Sequence, residues 1–194
     1  MPLGKQAKIL SKGQVEAVLS YLERTRHPIR NRVIFLLSVK AGLRAKEIAS
    51  LSWAMITDAN GRIGKAIHLL DSASKGRSGR VIPLNADLKR ALTEWMETVR
   101  PGTSDYVITT ERSRRASAQS IVNLFSRWYD HLGFAGASSH SGRRTFITNA
   151  AKKIPGVGGS IRDIQLLAGH VSLRTTQRYI EADAEAQRKV VQLV

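Results

Sequence analysis

The spacing of apolar residues changes period along the chain, and this change constrains the fold more than any other feature. Up to residue 51 the apolar side chains recur at helical spacing. The period then shortens, which is typical of short strands separated by turns at 58–61 and 74–79. The predicted helices of this half are 11–24, 29–41 and 45–51, and the predicted strands are 53–57, 65–70 and 80–84.

Helical spacing returns in the second half of the chain. The predicted helices are 86–99, 117–133, 142–153, 160–168, 173–181 and 184–193, with an extended piece at 106–108 and a glycine-rich break at 155–159. The predicted fold class is therefore mostly α with a small antiparallel β-sheet (α+β). A length of 194 residues suits one domain, or one domain with a short appendage, and is enough to bury a core unaided.

The charge balance indicates the class of partner. The chain has 31 Lys and Arg against 15 Asp and Glu, a formal net charge of +16. Such an excess favours nucleic acid, although a solubilising surface or a face for anionic lipid remains an alternative. The absence of cysteine excludes disulfides, thiolate zinc sites and thiol nucleophiles. No apolar run approaches the length of a membrane span, so an intracellular protein with no membrane partner is expected.

Two candidate clusters lie in the first half. Gly42 ends one predicted helix, so that Arg44 lies at a sharp corner where its guanidinium can bind a phosphate, and Glu47 could orient it. The alternative is an ordinary solvated Arg–Glu pair. Lys75 lies in a glycine-flanked turn and could enter a DNA groove or act as a mobile general acid, although lysines on turns are usually only solvated.

Two further clusters lie in the second half. His140 precedes a predicted helix and Arg143 falls in its first turn, which suits an anion. His170 lies in a helix–helix joint, and Tyr179 follows it two turns into the next predicted helix, which Ser172 caps. The alternatives are a capping histidine with exposed arginines, and a tyrosine that simply packs on a helix face.

In this order, the clusters resemble the tyrosine recombinase (phage integrase) family, from about Leu10 to the end of the chain. The family pattern is an Arg after Gly-Leu, a hairpin Lys, His-x-x-Arg, Gly-His and then a Tyr. The matching residues are Arg44, Lys75, His140, Arg143, His170 and Tyr179, with Glu47 similar to the acidic residue beside the first arginine. Departures are Ser141-Gly142 before Arg143 and the loose stretch at 155–159.

The resemblance implies a mechanism. The tyrosine attacks a DNA phosphorus, remains bound to the 3′ phosphate and releases a 5′ hydroxyl. The two arginines and His170 stabilise the charge on the phosphate oxygens, His140 takes the phenolic proton, and Lys75 protonates the leaving oxygen. The resemblance implies neither metal nor cofactor, and we expect activity in the presence of a chelator.

The resemblance also implies an organisation and a set of partners. Residues 1–194 correspond to the catalytic domain, without the helical core-binding domain that usually closes around the duplex. The partner is double-stranded DNA, on which a homo-tetramer assembles from monomers, in the bacterial or phage cytoplasm at the nucleoid. The residues expected to contact DNA are Lys46, Arg77, Arg80, Arg144 and Arg174.

Rival interpretations remain at this point. A type IB topoisomerase shares the chemistry but relaxes DNA as a monomer. A non-catalytic DNA-binding regulator could keep the same fold. An RNA-binding module is disfavoured because only 6% of residues are aromatic and they do not cluster into a stacking platform.

Overall fold

The computed structural model describes residues 7–74, 78–99, 105–179 and 191–192. In these ranges the helices are α1 (Lys12–Glu23), α2 (Pro28–Ala41), α3 (Ala45–Ser50), α4 (Ala86–Val99), α5 (Ala118–His131), α6 (Ser141–Lys153), α7 (Ile161–Ala168) and α8 (Leu173–Gln177). Strands β1 (Ala66–Leu69) and β2 (Arg80–Pro83) form one antiparallel pair. The predicted fold class is thereby confirmed. The predicted helix at 184–193 lies outside the described residues, apart from 191–192.

The helix ends follow from local sequence. Ser11 caps α1: its Oγ accepts the N–H of Gln14 at 3.2 Å, and the Gln14 side chain accepts the N–H of Ser11 at 3.0 Å. Gly42 ends α2 in the left-handed conformation, with φ of 66°. A Cβ at this glycine would also run into the ring of Phe146 on α6. The corner that follows Gly42 is therefore fixed by both backbone conformation and packing.

The predicted strand at 53–57 is wrong. Residues Trp53–Met55 form a 3-10 turn, in which the N–H of Met55 donates to the carbonyl of Ser52 at 3.1 Å. Trp53 and Met55 are buried while Ala54 is exposed, so a tight turn produces the same alternation as a strand. The sheet consequently has two strands, whose apolar face is the buried pair Ile67 and Ile82.

Helix α2 is the centre of the main core. Nine of its 14 residues are buried, which is the pattern of a helix enclosed on all sides. It packs against α1, α4 and α6. The contact with α6 is close at Gly142, where a Cβ would collide with the side chain of Ser38. This packing explains why a glycine stands directly before Arg143.

A second, smaller core supports the end of the described chain. Ile147 of α6 packs on Ile164 and Ala168 of α7, and Tyr179 is a partly buried neighbour of this cluster. Between the two helices, the glycine-rich break contains a 3-10 turn at Ile154–Val157. Within the described residues, no helix is both long and apolar enough to cross a bilayer.

Candidate active site

Five of the six predicted catalytic residues line one cleft of about 430 Å³. The sixth, Lys75, lies outside the described residues. The cleft brings together the corner after α2, the start of α6, the joint after α7 and the segment after α8. Its lining residues are Ala7, Arg44, Ser138, His140, Arg143, Arg144, His170, Thr175, Arg178 and Tyr179.

Arg44 is held by a buried carboxylate. It stands at the N-cap position of α3, and its backbone N–H donates to Glu47 Oε2 at 2.9 Å. Its Nη1 donates to Glu47 Oε1 at 2.8 Å. Glu47 has no exposed side-chain surface, so the alternative of a solvated surface pair is excluded. The corner and the carboxylate together fix where the guanidinium points.

The structure contradicts the prediction that Arg80 contacts DNA. Its side chain is only 5% exposed, and it donates to both oxygens of Glu47 at 3.1 Å. Its Nε also donates to the carbonyl of Leu167 at 2.8 Å. The physical reason is that a buried carboxylate requires paired charge, and Arg80 supplies it from β2. Gly169 leaves the necessary room, because a Cβ there would come within 2.8 Å of Arg80 Nη1.

Glu47 stays ionised between its two arginines. Burial raises the pKa of this carboxyl, but the hydrogen bonds and charges from Arg80 and Arg44 outweigh burial, and the net pKa is lowered. One negative charge is therefore shared by two guanidinium groups. The cleft keeps a net positive charge beside Arg44, as an anion site requires.

Arg143 is a buried cation held by backbone carbonyls. It is 3% exposed, and its Nη1 and Nη2 donate to the carbonyls of Gly42 and Ala168, both at 2.6 Å. These carbonyls lie at the C-terminal ends of α2 and α7, where the helix dipole favours a cation. Burial, followed by the charge of Arg44, lowers the pKa of Arg143 to about 9. The group is still protonated at neutral pH.

His170 is a buried, neutral imidazole. It is 8% exposed, its Nδ1 lies 3.0 Å from Thr176 Oγ1, and its ring stacks on Tyr179 with centroids 5.4 Å apart. Burial, and then the charges of Arg143 and Arg44, lower the pKa of His170 to about 4. The side chain therefore enters the cleft uncharged at physiological pH.

His140 and Tyr179 lie in more open surroundings. His140 stands at the N-cap position of α6 and is exposed. Helix α8 ends at Gln177, so the prediction that Tyr179 lies two turns into a helix is wrong. Tyr179 follows in a turn, where its N–H donates to the carbonyl of Thr176 at 3.0 Å, and it is half-buried. A short helix followed by a turn places the phenol beside the imidazole of His170.

The Phage integrase family model matches residues 8–186 of this chain. The chain belongs to the phage integrase family. Among curated relatives of this family, tyrosine recombinase XerA of Thermococcus onnurineus is 31% identical over 185 residues, which cover 94% of this chain and 61% of that protein. Tyrosine recombinase XerC of Pelobacter propionicus is 28% identical over 170 residues, 87% of this chain and 53% of that protein. The chain thus spans between about half and three-fifths of the length of these integrase-family relatives.

Solved structures share the integrase fold. The Tn1549 transposon integrase in complex with a circular intermediate DNA superimposes with a TM-score of 0.77 at 16% identity, covering 97% of this chain and 66% of that one. The crystal structure of XerA recombinase superimposes with a TM-score of 0.74 at 21% identity, covering 95% of this chain and 64% of that one. The common fold agrees with the helices and the small sheet described above.

The other residues of this integrase-family chain that were predicted to contact DNA differ in how far they are buried. Lys46 and Arg174 are exposed. Arg144 is half-buried, and its Nη1 donates to the carbonyl of Ala7 at 3.0 Å. Arg77 lies outside the described residues. Contact with DNA at Lys46, Arg77, Arg144 and Arg174 stays a prediction.

A larger cleft of about 590 Å³ lies elsewhere on the chain, between α2, α5 and the segment 108–116. It contains none of the predicted catalytic residues. The smaller cleft is therefore the candidate active site, because it combines four arginines, two imidazoles and a phenol. Across the described ranges no group of three or more His, Cys, Asp or Glu side chains is arranged to hold a metal ion.

Sequence reasoning missed three residues around this site. Thr176 contacts the His170 ring, Gln165 donates its amide to the His170 carbonyl at 2.9 Å, and Arg178 lines the cleft. Gln165 and Thr176 are buried polar residues on short helices, which no hydrophobic period reveals. A signal did exist for Arg178, because it directly precedes the candidate nucleophile Tyr179.

Proposed function

We propose that this chain is the catalytic domain of a site-specific DNA recombinase that cleaves and rejoins strands through a covalent 3′-phosphotyrosine. One observation carries the proposal: Arg44, His140, Arg143, His170 and Tyr179 come from distant parts of the sequence and line one cleft. If Tyr179 only packed on a helix face, or Arg44 only formed a solvated ion pair, there would be no reason for these residues to meet in one cleft. The rest of the proposal follows from the chemistry of each group.

The arginines would bind the scissile phosphate. Each guanidinium carries five N–H donors, and Arg44 and Arg143 engage only some of them with Glu47 and with backbone carbonyls. The remaining donors can bind the non-bridging oxygens and the extra charge that develops in the transition state. Because these groups are fixed before DNA arrives, little reorganisation is needed during the reaction.

The phenol oxygen of Tyr179 forms the new bond to phosphorus, and the bond from phosphorus to the 5′ oxygen breaks. The phenolic proton passes to His140, and the 5′ oxygen receives a proton from Lys75, so that a 5′ hydroxyl leaves. His170, which is uncharged, donates a hydrogen bond to a non-bridging oxygen. Attack by the 5′ hydroxyl of another strand reverses the step and joins new partners.

Double-stranded DNA is the proposed partner. The net charge of +16 supports it, because neutralising phosphates releases condensed counterions. Among structures of the same fold, XerH is described as bound to its difH substrate and lambda integrase as a dimer on a core site. We propose that this chain also acts on a duplex, and that it does so as a homo-tetramer that assembles from monomers at the nucleoid.

A nicked duplex that traps the covalent intermediate tests the proposal. The nick lets the short 5′-hydroxyl strand diffuse away after cleavage, so that the adduct accumulates. Wild-type protein should form a protein–DNA adduct stable to denaturant, and Tyr179→Phe should form none. Tyr106→Phe, a change at a tyrosine outside the cleft, is the matched control and should form as much adduct as wild type.

The absence of an adduct can be interpreted if DNA binding is measured in parallel. Binding to the duplex without adduct formation would contradict the proposal and favour a non-catalytic regulator. Where an adduct forms, two marked duplexes separate the remaining alternatives. Exchange of strands between duplexes supports a recombinase, whereas relaxation of a supercoiled plasmid without exchange supports a topoisomerase.

A further inference from the structure

We propose that Thr176 is a positioning residue that sets the tautomer of His170: its hydroxyl donates to Nδ1, so that Nε2 carries the hydrogen and presents it to the cleft. The assignment of the tautomer rests on contacts within the protein alone. Its catalytic consequence rests on the proposed function, in which the cleft holds a DNA phosphate.

The contact is well defined. Thr176 Oγ1 lies 3.0 Å from His170 Nδ1, within hydrogen-bond distance. The threonine has no exposed surface. The backbone of His170 is held as well, because its N–H donates to the Gln165 carbonyl at 3.1 Å and its carbonyl accepts the Gln165 amide at 2.9 Å. The imidazole is thus fixed at both its backbone and its ring.

Counting hydrogen-bond donors distinguishes the two possible arrangements. If Nδ1 carried the hydrogen, it would donate to Oγ1, and the threonine hydroxyl hydrogen would need a second acceptor. Among the described residues, the imidazole is the single hydrogen-bond partner of Thr176 Oγ1. That hydroxyl hydrogen would then be buried without an acceptor, which is unfavourable. If the hydroxyl donates to an unprotonated Nδ1, this donor is satisfied.

The tautomer matters because His170 is uncharged. Burial and the neighbouring arginines lower its pKa to about 4, so the ring has one N–H at neutral pH and not two. Nδ1 faces Thr176, and the opposite nitrogen, Nε2, is the one left to face a ligand in the cleft. Only the tautomer with hydrogen on Nε2 can donate to a phosphate oxygen. Without Thr176, a share of the molecules would present a lone pair to that oxygen.

Nitrogen-15 NMR of histidine-labelled protein reads the tautomer directly, without DNA. The chain has five histidines, and His170→Gln identifies the signals of His170. In wild type we expect Nδ1 at the position of an unprotonated ring nitrogen and Nε2 at that of a protonated one. Thr176→Val, which keeps the shape but lacks the hydroxyl, should move the two signals towards each other. Thr176→Ser should restore the wild-type spectrum.

The control is another buried threonine close to the cleft. Thr145 donates to the Ser141 carbonyl and accepts the N–H of Leu10, both at 2.8 Å, so within the described residues its hydroxyl is hydrogen-bonded to groups other than a histidine. Thr145→Val should lower the unfolding free energy and leave the His170 signals in place. A role of Thr176 in packing alone would therefore give spectra that are the same in the two valine variants.

Single-turnover cleavage gives the second readout. A hydrogen bond of this kind changes the equilibrium between the two tautomers by about tenfold at most. The share of molecules with hydrogen on Nε2 then falls from nearly all to about half, so Thr176→Val should slow cleavage about twofold. Removing the imidazole in His170→Gln should slow it by about 10²–10³. Thr176→Ser should cleave at the wild-type rate.

The outcomes separate this proposal from the one it rests on. A wild-type spectrum with hydrogen on Nδ1, or unchanged signals in Thr176→Val, overturns the role of Thr176 whatever the activity. If the spectra agree but no protein–DNA adduct forms in wild type, the tautomer assignment stands and the proposed function fails. If Thr176→Val shifts the signals yet cleaves at the wild-type rate, the catalytic consequence is overturned.

Discussion

The cleft has a buried floor and an exposed rim, and its two imidazoles show the difference. His170 on the floor is buried, hydrogen-bonded and uncharged, with a pKa of about 4. His140 on the rim is exposed at the start of α6. A buried, fixed group is suited to stabilising charge, whereas an exposed one can exchange protons with water. Burial alone therefore suits the same residue type to two different tasks.

The arginines of the cleft show the same difference between the buried floor and the exposed rim. Arg143 on the floor and Arg80 beneath it have partners within the protein, namely backbone carbonyls and Glu47. On the rim, Arg178 is exposed beside the half-buried Tyr179. Preorganised charge thus lies below, and the groups that would move a proton or attack lie above.

Removing the floor cation should have the largest effect. Arg143→Ala should slow single-turnover cleavage by about 10²–10³, because a fixed donor to the transition state is lost. It should also lower the free energy of unfolding, because two buried carbonyls that accept from it at 2.6 Å lose their donors. Urea denaturation and trapping on the nicked duplex measure the two effects. A loss below tenfold in rate would show that Arg143 is structural only.

Removing the buried carboxylate should mainly reduce stability. Glu47→Gln leaves Arg44 and Arg80 without their shared counter-charge, so we expect the unfolding free energy to fall by about 3–5 kcal/mol. The pKa of Glu47 is lowered on folding, so its contribution is present above its usual value of 4.5 and is lost as the pH falls through the folded pKa. Urea unfolding from pH 4.5 down to 3 should show a larger loss of stability in wild type than in Glu47→Gln. An equal acid loss in both proteins would exclude Glu47 as its source.

The neutral imidazole of His170 should make the free energy of unfolding depend on pH in a different range from Glu47. The pKa of His170 falls from 6.5 to about 4 on folding, so the unfolded chain binds more protons in this window and stability falls as the pH decreases through it. At about 1.4 kcal/mol per pH unit, the loss reaches at most about 3.5 kcal/mol. His170→Asn should flatten the unfolding free energy between pH 6.5 and 4. His140→Asn should leave the steep dependence in place, and a flat profile in wild type would contradict the assignment.

The smallest expected effects are on the salt dependence of DNA binding, which should differ between buried and exposed arginines. Arg174→Met should weaken DNA binding modestly and reduce the slope of log affinity against log salt by about 1, because one phosphate contact is lost. Arg80→Met, the matched change at a buried arginine, should leave that slope unchanged and lower the unfolding free energy. A reduced slope for Arg80→Met would restore the original prediction that Arg80 contacts DNA.

Much of the fold was predictable because local signals and tertiary structure agree. Ser11 caps α1 and Gly42 ends α2 as the sequence indicates, and helix bounds agree within one or two residues for most elements. The strand prediction at 53–57 failed because a 3-10 turn can also alternate buried and exposed residues. Helix α8 is shorter than its apolar spacing suggested, and this determines how Tyr179 is presented.

The sequence motifs name most of the residues that meet in the candidate cleft, but not the contacts between them. The ordered motifs identify Arg44, His140, Arg143, His170 and Tyr179, which the structure brings into one cleft. Nothing in the sequence reveals that Arg80 is buried against Glu47, since both residue types are usually exposed. These side chains are brought together by tertiary packing over 33 residues of chain, which local patterns do not report.

The most direct test of the central claim is the identity of the amino acid that becomes linked to DNA. After trapping on the nicked duplex, the adduct can be digested with nuclease and protease, and the modified peptide sequenced by mass spectrometry. A nucleotide on the phenol oxygen of Tyr179 is the predicted result. A nucleotide on any other residue, or an unmodified Tyr179 in protein that demonstrably binds the duplex, would contradict it.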